Sequence, residues 1–185
     1  MLYSDWQKSP PAGKHAVRKT REMSEVTIEP STSPKDAEEL DELLWRILWQ
    51  PLGLPRKVRQ GFKVDGESLE LVAKENGRIT GGVVAVWTDD TEVELRHLAV
   101  VPEAQNQGTG RRLIESVVEI VRPKGCRRIH TIARNTSVDF FRSLRFRTAP
   151  GTVPEHPVFK KHGIVFELMD RIVEPAGAGD ALQHA

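Results

Sequence analysis

Apolar positions along this chain follow two periods, and the switches between them lay out its elements. Leu40, Leu43, Leu44, Ile47 and Leu48 fall at i, i+3, i+4, i+7 and i+8, which gives a helix one apolar face. Trp45 and Trp49 extend or flank that face. Ser33-Pro34 supplies its start, serine as N-cap and proline at the first position. Pro51, Gly53 and Pro55 end it, and Arg56 to Arg59 reads as a further short helical turn. Upstream, Glu25 to Ile28 alternates as a short strand. Downstream, Ser68 to Glu75 alternates, Asn76-Gly77 is a strong hairpin signal, and Arg78 to Thr88 is β-rich, with Gly81-Gly82 allowing a bend or bulge. Asp89-Asp90 turns into a strand from Val93, so three antiparallel strands are expected in succession. Leu113, Val117, Val118, Ile120 and Val121 then form the stripe of a second helix ending before Pro123-Lys-Gly125. A strand over Arg127 to Ala133, a helix over Thr136 to Leu144, a loop over Pro150 to Pro157 and a strand over Ile164 to Arg171 follow. Strand, helix, strand implies a right-handed crossover and parallel pairing. The fold class expected is therefore mixed α/β (α+β), a central sheet flanked by helices.

Composition narrows the classes without naming one. With 185 residues, 38% of them hydrophobic and 29% charged, the chain can bury a core as a single domain over residues 23–172. Residues 1–22 carry five Lys or Arg against Asp5 and Glu22 and show no apolar period, so they read as a disordered basic tail or upstream extension, with Met23 an alternative start. Residues 173–185 read as a second disordered tail. The net charge of +1 gives no basic field, so nucleic acid is not an expected partner. Cys126 is the only cysteine, which excludes an internal disulfide and a cysteine-based zinc site; no metal is expected. No apolar run is long enough to span a membrane and no signal-peptide core is present, which fits a reducing cytoplasm.

The most informative stretch joins the Val93 strand to the second helix: Leu98-Ala-Val-Val-Pro-Glu, then Gln105-Asn-Gln-Gly-Thr-Gly110 and Arg111-Arg112. Gly108 and Gly110 open backbone angles closed to other residues and leave no Cβ to hold a ligand off the main chain. Amides at a helix start, with the positive end of the dipole, suit a phosphate or pyrophosphate. Neither the dinucleotide fingerprint nor the P-loop is present. A Gly-x-Gly turn can also serve geometry alone. The whole register, however, resembles motif A of the GNAT superfamily of N-acetyltransferases, Gln/Arg-x-x-Gly-x-Gly/Ala after a strand ending in Val-x-Pro.

That resemblance, over about residues 25–171, implies a GNAT fold in which a parallel pair of strands splays at the cofactor site and pantetheine pairs with backbone around Leu98, Ala99 and Val100. It implies acetyl-CoA as cofactor, with CoA as product. Gln105, Asn106, Gln107, Gly108, Thr109, Gly110 and Arg111 are the implied phosphate-side contacts. Ile132-Ala-Arg-Asn-Thr-Ser-Val-Asp-Phe-Phe-Arg-Ser-Leu-Arg-Phe146 resembles the second family signature with departures. Phe141 stands where a tyrosine often protonates the leaving thiolate, and Arg145 replaces the glycine of Leu-Gly-Phe. The asparagine common seven residues before that tyrosine falls on Arg134, which takes its place among the cofactor contacts in preference to Asn135. Tyr3, the only tyrosine, lies in the tail. Phe159-Lys-Lys-His-Gly-Ile164 and Met169 resemble the end of one GNAT subgroup of poorly defined substrate.

A lysine-like amine with a pKa near ~10.4 must lose a proton before it attacks, so a base or water relay is needed. Glu94, eleven residues before Gln105, holds the position of the base in histone-acetylating members and is the first candidate; the plain alternative is a strand glutamate paired with an arginine. His130, on the adjacent parallel strand, is the second. His97 has the opposite strand parity to Glu94 and is expected to face the core. The amide near Val100 would polarise the thioester carbonyl. The thiolate's proton would come from water, Ser137 or the ammonium of the product.

These readings converge on direct acetyl transfer to a primary amine of a small metabolite or peptide. Two other readings stay open: a catalytically degenerate acetyl-CoA sensor or scaffold, and a protein or nucleic-acid interaction module using the basic tail and the Arg56 to Arg59 loop. In the GNAT fold the Arg56 to Arg59 segment would border the acceptor pocket, as a solvated loop or as a rim attracting an acidic group on the acceptor. Homodimerisation is left open by the sequence.

Overall fold

A computed structural model describes residues 25–62 and 65–175. The tail expected at 1–22 and residues 176–185 of the one expected at 173–185 lie outside the described residues; Val173, expected in that tail, is 3% exposed and donates its N–H to Arg127 O at 2.9 Å. The strands are β1 (Thr27–Pro30), β2 (Ser68–Glu75), β3 (Arg78–Trp87), β4 (Glu92–Val100), β5 (Arg128–Arg134), β6 (Arg147–Thr148) and β7 (Phe166–Ile172), and the helices α1 (Pro34–Leu44), α2 (Thr109–Val121), α3 (Val138–Ser143) and α4 (Pro157–Lys161). They build one seven-stranded sheet in the order β1-β2-β3-β4-β5-β7-β6. Neighbours are antiparallel except β4 and β5, which run parallel. The mixed sheet expected from the sequence is the sheet observed. Elements missed in the sequence are short: β6, α4 and 3-10 turns.

Each face of the sheet carries its own core. On one, Leu113, Ile114, Val117, Val118 and Val121 of α2 pack with Phe141, Leu144 and Phe146 against Val93, Leu95 and Ile129. On the other, Leu40, Leu43, Leu44 and Trp49 pack against Val72, Val84 and Val86. Burying one such side chain stabilises the fold by about 1.5–3 kcal/mol. Gly81 and Gly82 let both helices approach. A Cβ on Gly82 would fall 2.2 Å from Leu40 Cδ1, and one on Gly81 3.3 Å from Leu113 Cδ1. The expected bulge falls beside this pair: Ala73 pairs with Gly81 but Lys74 with Ile79, leaving Thr80 of β3 as the extra residue. The Asn76-Gly77 turn takes positive φ at both residues, 51° and 74°, as its hairpin requires.

Ser33 Oγ accepts from Asp36 N–H at 3.0 Å and Pro34 follows, so α1 starts as expected. Its C-terminal end departs from a plain α-helix. Trp45–Trp49 is a π-helical turn in which Gln50 N–H donates to Trp45 O. Pro51 has no N–H to give Ile47 O, so the regular ladder cannot continue. Such widened turns recur at functional sites.

Arg145 ends α3 with φ of 68°, in the left-handed region. Its N–H donates to Arg142 O, and Phe146 N–H to Phe141 O, closing the helix in the manner of a glycine C-cap. Glycine there avoids the Cβ clash but loses chain entropy. We therefore expect Arg145→Gly to raise unfolding free energy by about 0.5–1 kcal/mol in a urea titration.

Candidate functional site

β4 and β5 pair over only four rungs, Glu92↔Arg128 to Leu95↔Thr131. Thr131, 4% exposed, donates its hydroxyl to Leu95 O at 2.9 Å and closes the last rung. Beyond it β4 continues to Val100 and β5 to Arg134 with no pairing between them, so the two strands part.

A bulge in β4 sits at the same place. Val84 pairs with His97 but Ala85 with Leu95, leaving Arg96 as the extra residue. The extra residue shifts the phase of everything after it. Before the bulge, Thr88 N–H donates to Glu92 O; after it, Val101 N–H donates to Thr80 O. Hydrogen-bonded pairs alternate along an antiparallel ladder, so Ala99 spends its backbone groups on β3, while those of Leu98 and Val100 turn into the gap. Of the three backbone contacts expected there, Leu98 and Val100 are thus offered to a ligand and Ala99 is not. The same shift overturns the expected parity of His97. Glu94 lies opposite Val86 and His97 opposite Val84, both on the α1 face. The apolar pattern carries a trace of the shift: Val93 and Leu95 alternate in one phase, Leu98 and Val100 in the other, with the polar pair Arg96-His97 between them.

The glycine turn lies at the end of β4. Gln105 Nε2 donates to Val100 O at 2.8 Å, and Gln107 Nε2 to Glu103 O at 2.6 Å, which fixes the turn on its own backbone. Asn106 and Gly108 take positive φ, 58° and 85°. Arg112 N–H makes the first helical bond, to Gly108 O, so the amides of Thr109, Gly110 and Arg111 precede the ladder and face the helix start. The position of a Cβ on Gly108 is open space, whereas on Gly110 it would lie 3.2 Å from Phe140 Cζ. Gly108 therefore leaves room for a ligand, and Gly110 is glycine so that α2 can pack on α3. Arg112 reaches Val26 O at 2.6 Å, away from the turn, and Arg111 lies 3.4 Å from Ser143 Oγ. A phosphate group fits the unfilled amides and the space over Gly108, and an extended amide-bearing chain fits the gap.

The opposite face of the parted strands is charged. Glu94 and His130 are register partners, so the two candidate bases are brought together on one face. Glu94 is 9% exposed and accepts two bonds of 3.1 Å from Arg96 Nη1, the arginine partner of the plainer reading. His130 Nδ1 is buried without a hydrogen bond, 3.8 Å from Glu92 Oε2. Glu92 and Asp170 both hold Arg128. Arg134 lies on this α1 face, one residue beyond Ala133 of the α2-side core, and not with the glycine turn; its Nη2 donates to Leu48 O of the π-turn at 2.7 Å. The basic loop is neutralised locally, Arg56 by Glu42 and Arg59 by Asp41 and Glu70. Phe141 is 5% exposed, its ring edge on Phe140 and Phe146, so the family's tyrosine position is filled by core. Ser137 Oγ donates to Arg134 O at 3.0 Å. Cys126 is buried, and burial raises its thiol pKa, away from nucleophile chemistry. Among the described residues no cluster of three or more His, Cys, Asp or Glu is arranged to hold a metal, and no helix is long and apolar enough to cross a membrane.

A family model described as "Acetyltransferase (GNAT) family" matches residues 31–146. The chain belongs to the GNAT acetyltransferase family. Solved structures agree in fold. One is a ribosomal-protein-S18-alanine N-acetyltransferase from Escherichia coli, 20% identical, covering 84% of this chain and 98% of that one with a TM-score of 0.63. Another is a putative N-acetyltransferase from Lactobacillus plantarum, at 15%, 80%, 99% and 0.68. A third is an aminoglycoside 6'-N-acetyltransferase complexed with coenzyme A, at 15%, 81%, 97% and 0.65.

His97 gives this site a pH signature. Burial first, then the charges of Arg59, Arg96 and Arg134, press its pKa from 6.5 to about 3, and its ring stands edge-on to Trp49 at 4.9 Å. The folded protein keeps it neutral where the unfolded chain protonates it, so its contribution to stability is complete above pH 6.5 and is lost as pH falls toward 3. Between pH 6.5 and 5 unfolding free energy should fall with a slope approaching about 1.4 kcal/mol per pH unit. His97→Gln should flatten that slope in urea titrations at stepped pH.

Proposed function

We propose that this protein is an N-acetyltransferase that moves the acetyl group of acetyl-CoA to a primary amine by direct transfer, without an acetyl-enzyme. The parting of β4 from β5 beside the glycine turn carries this reading, because it offers an anion site and a backbone-lined slot in one continuous path. Gln105 and Gln107 hold the turn in shape. The amides of Gly108 to Arg111 bind the pyrophosphate, aided by the helix dipole and the Arg111 charge. Backbone groups of Leu98 and Val100 orient the pantetheine arm. Acetyl-CoA, when bound, supplies an acetyl group activated as a thioester.

On the α1 face, Glu94 accepts the proton that the acceptor amine must lose, directly or through a water. Arg96 orients its carboxylate for that role through two hydrogen bonds. His130, one strand away, is the relay group toward Glu92. Ser137 spends its hydroxyl proton on Arg134 O and Phe141 has none to give. Neither side chain therefore donates to the thiolate that transfer would release, and water or the amine itself would supply that proton. Known family members of similar fold act on a ribosomal-protein alanine and on an aminoglycoside, so the fold leaves the amine's identity to the side chains of this face.

Calorimetric titration with acetyl-CoA tests the cofactor half. Wild type should bind, Gly108→Asn should bind within about fivefold because asparagine tolerates the left-handed region, and Gly108→Trp should lose at least about a hundredfold by filling the space over the turn. No binding by folded wild type would sink the reading. In an amine screen read by CoA release, Glu94→Gln should lower kcat by about 10²–10⁴ with acetyl-CoA affinity unchanged; full activity in that variant would remove Glu94 from the mechanism.

A further inference from the structure

The α1 face of the parted strands holds a guanidinium with no carboxylate beside it among the described residues. Arg59 pairs with Asp41 and Glu70, Arg96 with Glu94, and Arg128 with Glu92 and Asp170. Arg134 has no carboxylate at ion-pair distance among the described residues. It bonds one main-chain oxygen, Leu48 O, and its guanidinium carbon stands 5.9 Å from the centre of the Phe159 ring. Burial lowers its pKa. A half-buried guanidinium without a carboxylate partner is better placed when an anion meets it.

Its position limits what that anion can be. Arg134 ends β5 inside the parted section, opposite the β4 segment that follows Glu94. The phosphate-side turn lies with α2 on the other face, so cofactor phosphates are not its partner. Beside Arg134, a groove of 550 Å³ is lined by Phe159, Ile164, Val165 and Phe166, with Glu155 and Lys160 among its polar members. Phe166 is the register partner of Arg134 on β7, and Phe159 lies under its guanidinium, so the charge and the groove adjoin. Val165 is 66% exposed there, an apolar surface without cover.

Building on the acetyltransferase reading, we propose that the acceptor is a primary amine that also carries a carboxylate and an apolar group, such as an apolar amino acid or a short peptide with a free C-terminus. Arg134 receives the carboxylate, the groove receives the apolar group, and the amine is left toward Glu94. A polycationic amine would meet like charge at Arg134 and is disfavoured. Here Arg134 is a specificity residue for the acceptor, whereas the family's asparagine at this position is a different chemical group without charge.

The test uses product-like probes that need no turnover. N-acetyl-leucine and N-acetyl-leucinamide are titrated into full-length wild type, Arg134→Lys and Arg134→Gln, with and without CoA, by calorimetry and tryptophan fluorescence. Wild type should bind the acid at least about tenfold more tightly than the amide. That preference should fall within about twofold in Arg134→Gln and persist largely in Arg134→Lys, with amide affinity little changed across the three as the check on folding. Equal binding of acid and amide to wild type, no binding of either at about 20 mM, or an undiminished preference in Arg134→Gln would overturn the proposal. An acetyl-CoA titration on the same samples separates the two claims. Acid preference without acetyl-CoA binding defeats the acetyltransferase reading and leaves an acid site; acetyl-CoA binding without acid preference does the reverse.

Discussion

The structure depends on a failure of pairing. β4 and β5 hold together for four rungs and then part, at a point fixed by Thr131 on Leu95 O and by the extra residue Arg96. A sheet that leaves backbone groups facing a gap must satisfy them in some other way, because an unmet peptide group out of water costs on the order of 1–3 kcal/mol. The chain meets part of this itself: Gln105 covers Val100 O. The remainder is an unfilled ladder edge inside the molecule, shaped to receive an extended chain with amides of its own.

Two consequences follow from where the parting falls. The path from the gap leads on the α2 side to the helix start at Gly108, where amides and dipole favour an anion. On the α1 side it opens onto acids and arginines. The inserted residue in β4 brings His97, against Trp49, to the face that Glu94 already occupies, and Arg134 reaches the same face from β5 to bond Leu48 O of the π-turn. In this reading the two faces divide the work: one holds the cofactor by its backbone, and the other selects and deprotonates the acceptor with side chains.

Much of this was legible in the residues. The apolar periods of α1 and α2, the Ser33-Pro34 start, the Asn76-Gly77 hairpin and the glycine turn each follow from local chemistry, and their sum gives the sheet order around β4. The bulge at Arg96 left a trace, the change of phase between Val93-Leu95 and Leu98-Val100, but strict alternation was assumed, so His97 was given the opposite parity to Glu94; it faces a core, the one on the α1 face. The short β6 and α4 escaped because two strand residues and one helical turn carry too little period to stand out. Gly110 was read as ligand space but packs on Phe140, a contact between residues thirty apart that no local pattern encodes. Arg134 was grouped with the cofactor by its motif position, and only its β5 parity and its bond to Leu48 O put it on the α1 face.

The central claim is that the amides of Leu98 and Val100 are open to a bound acetyl-CoA. Residue-resolved hydrogen exchange by NMR reads them directly, with Ala99 as the neighbour bonded to β3. The account predicts fast exchange at Leu98 and Val100 and slow exchange at Ala99 in the free protein, with saturating acetyl-CoA slowing the first two and leaving the third unchanged. Slow exchange at all three before ligand is added, or no response at Leu98 and Val100 when acetyl-CoA is bound, would contradict it.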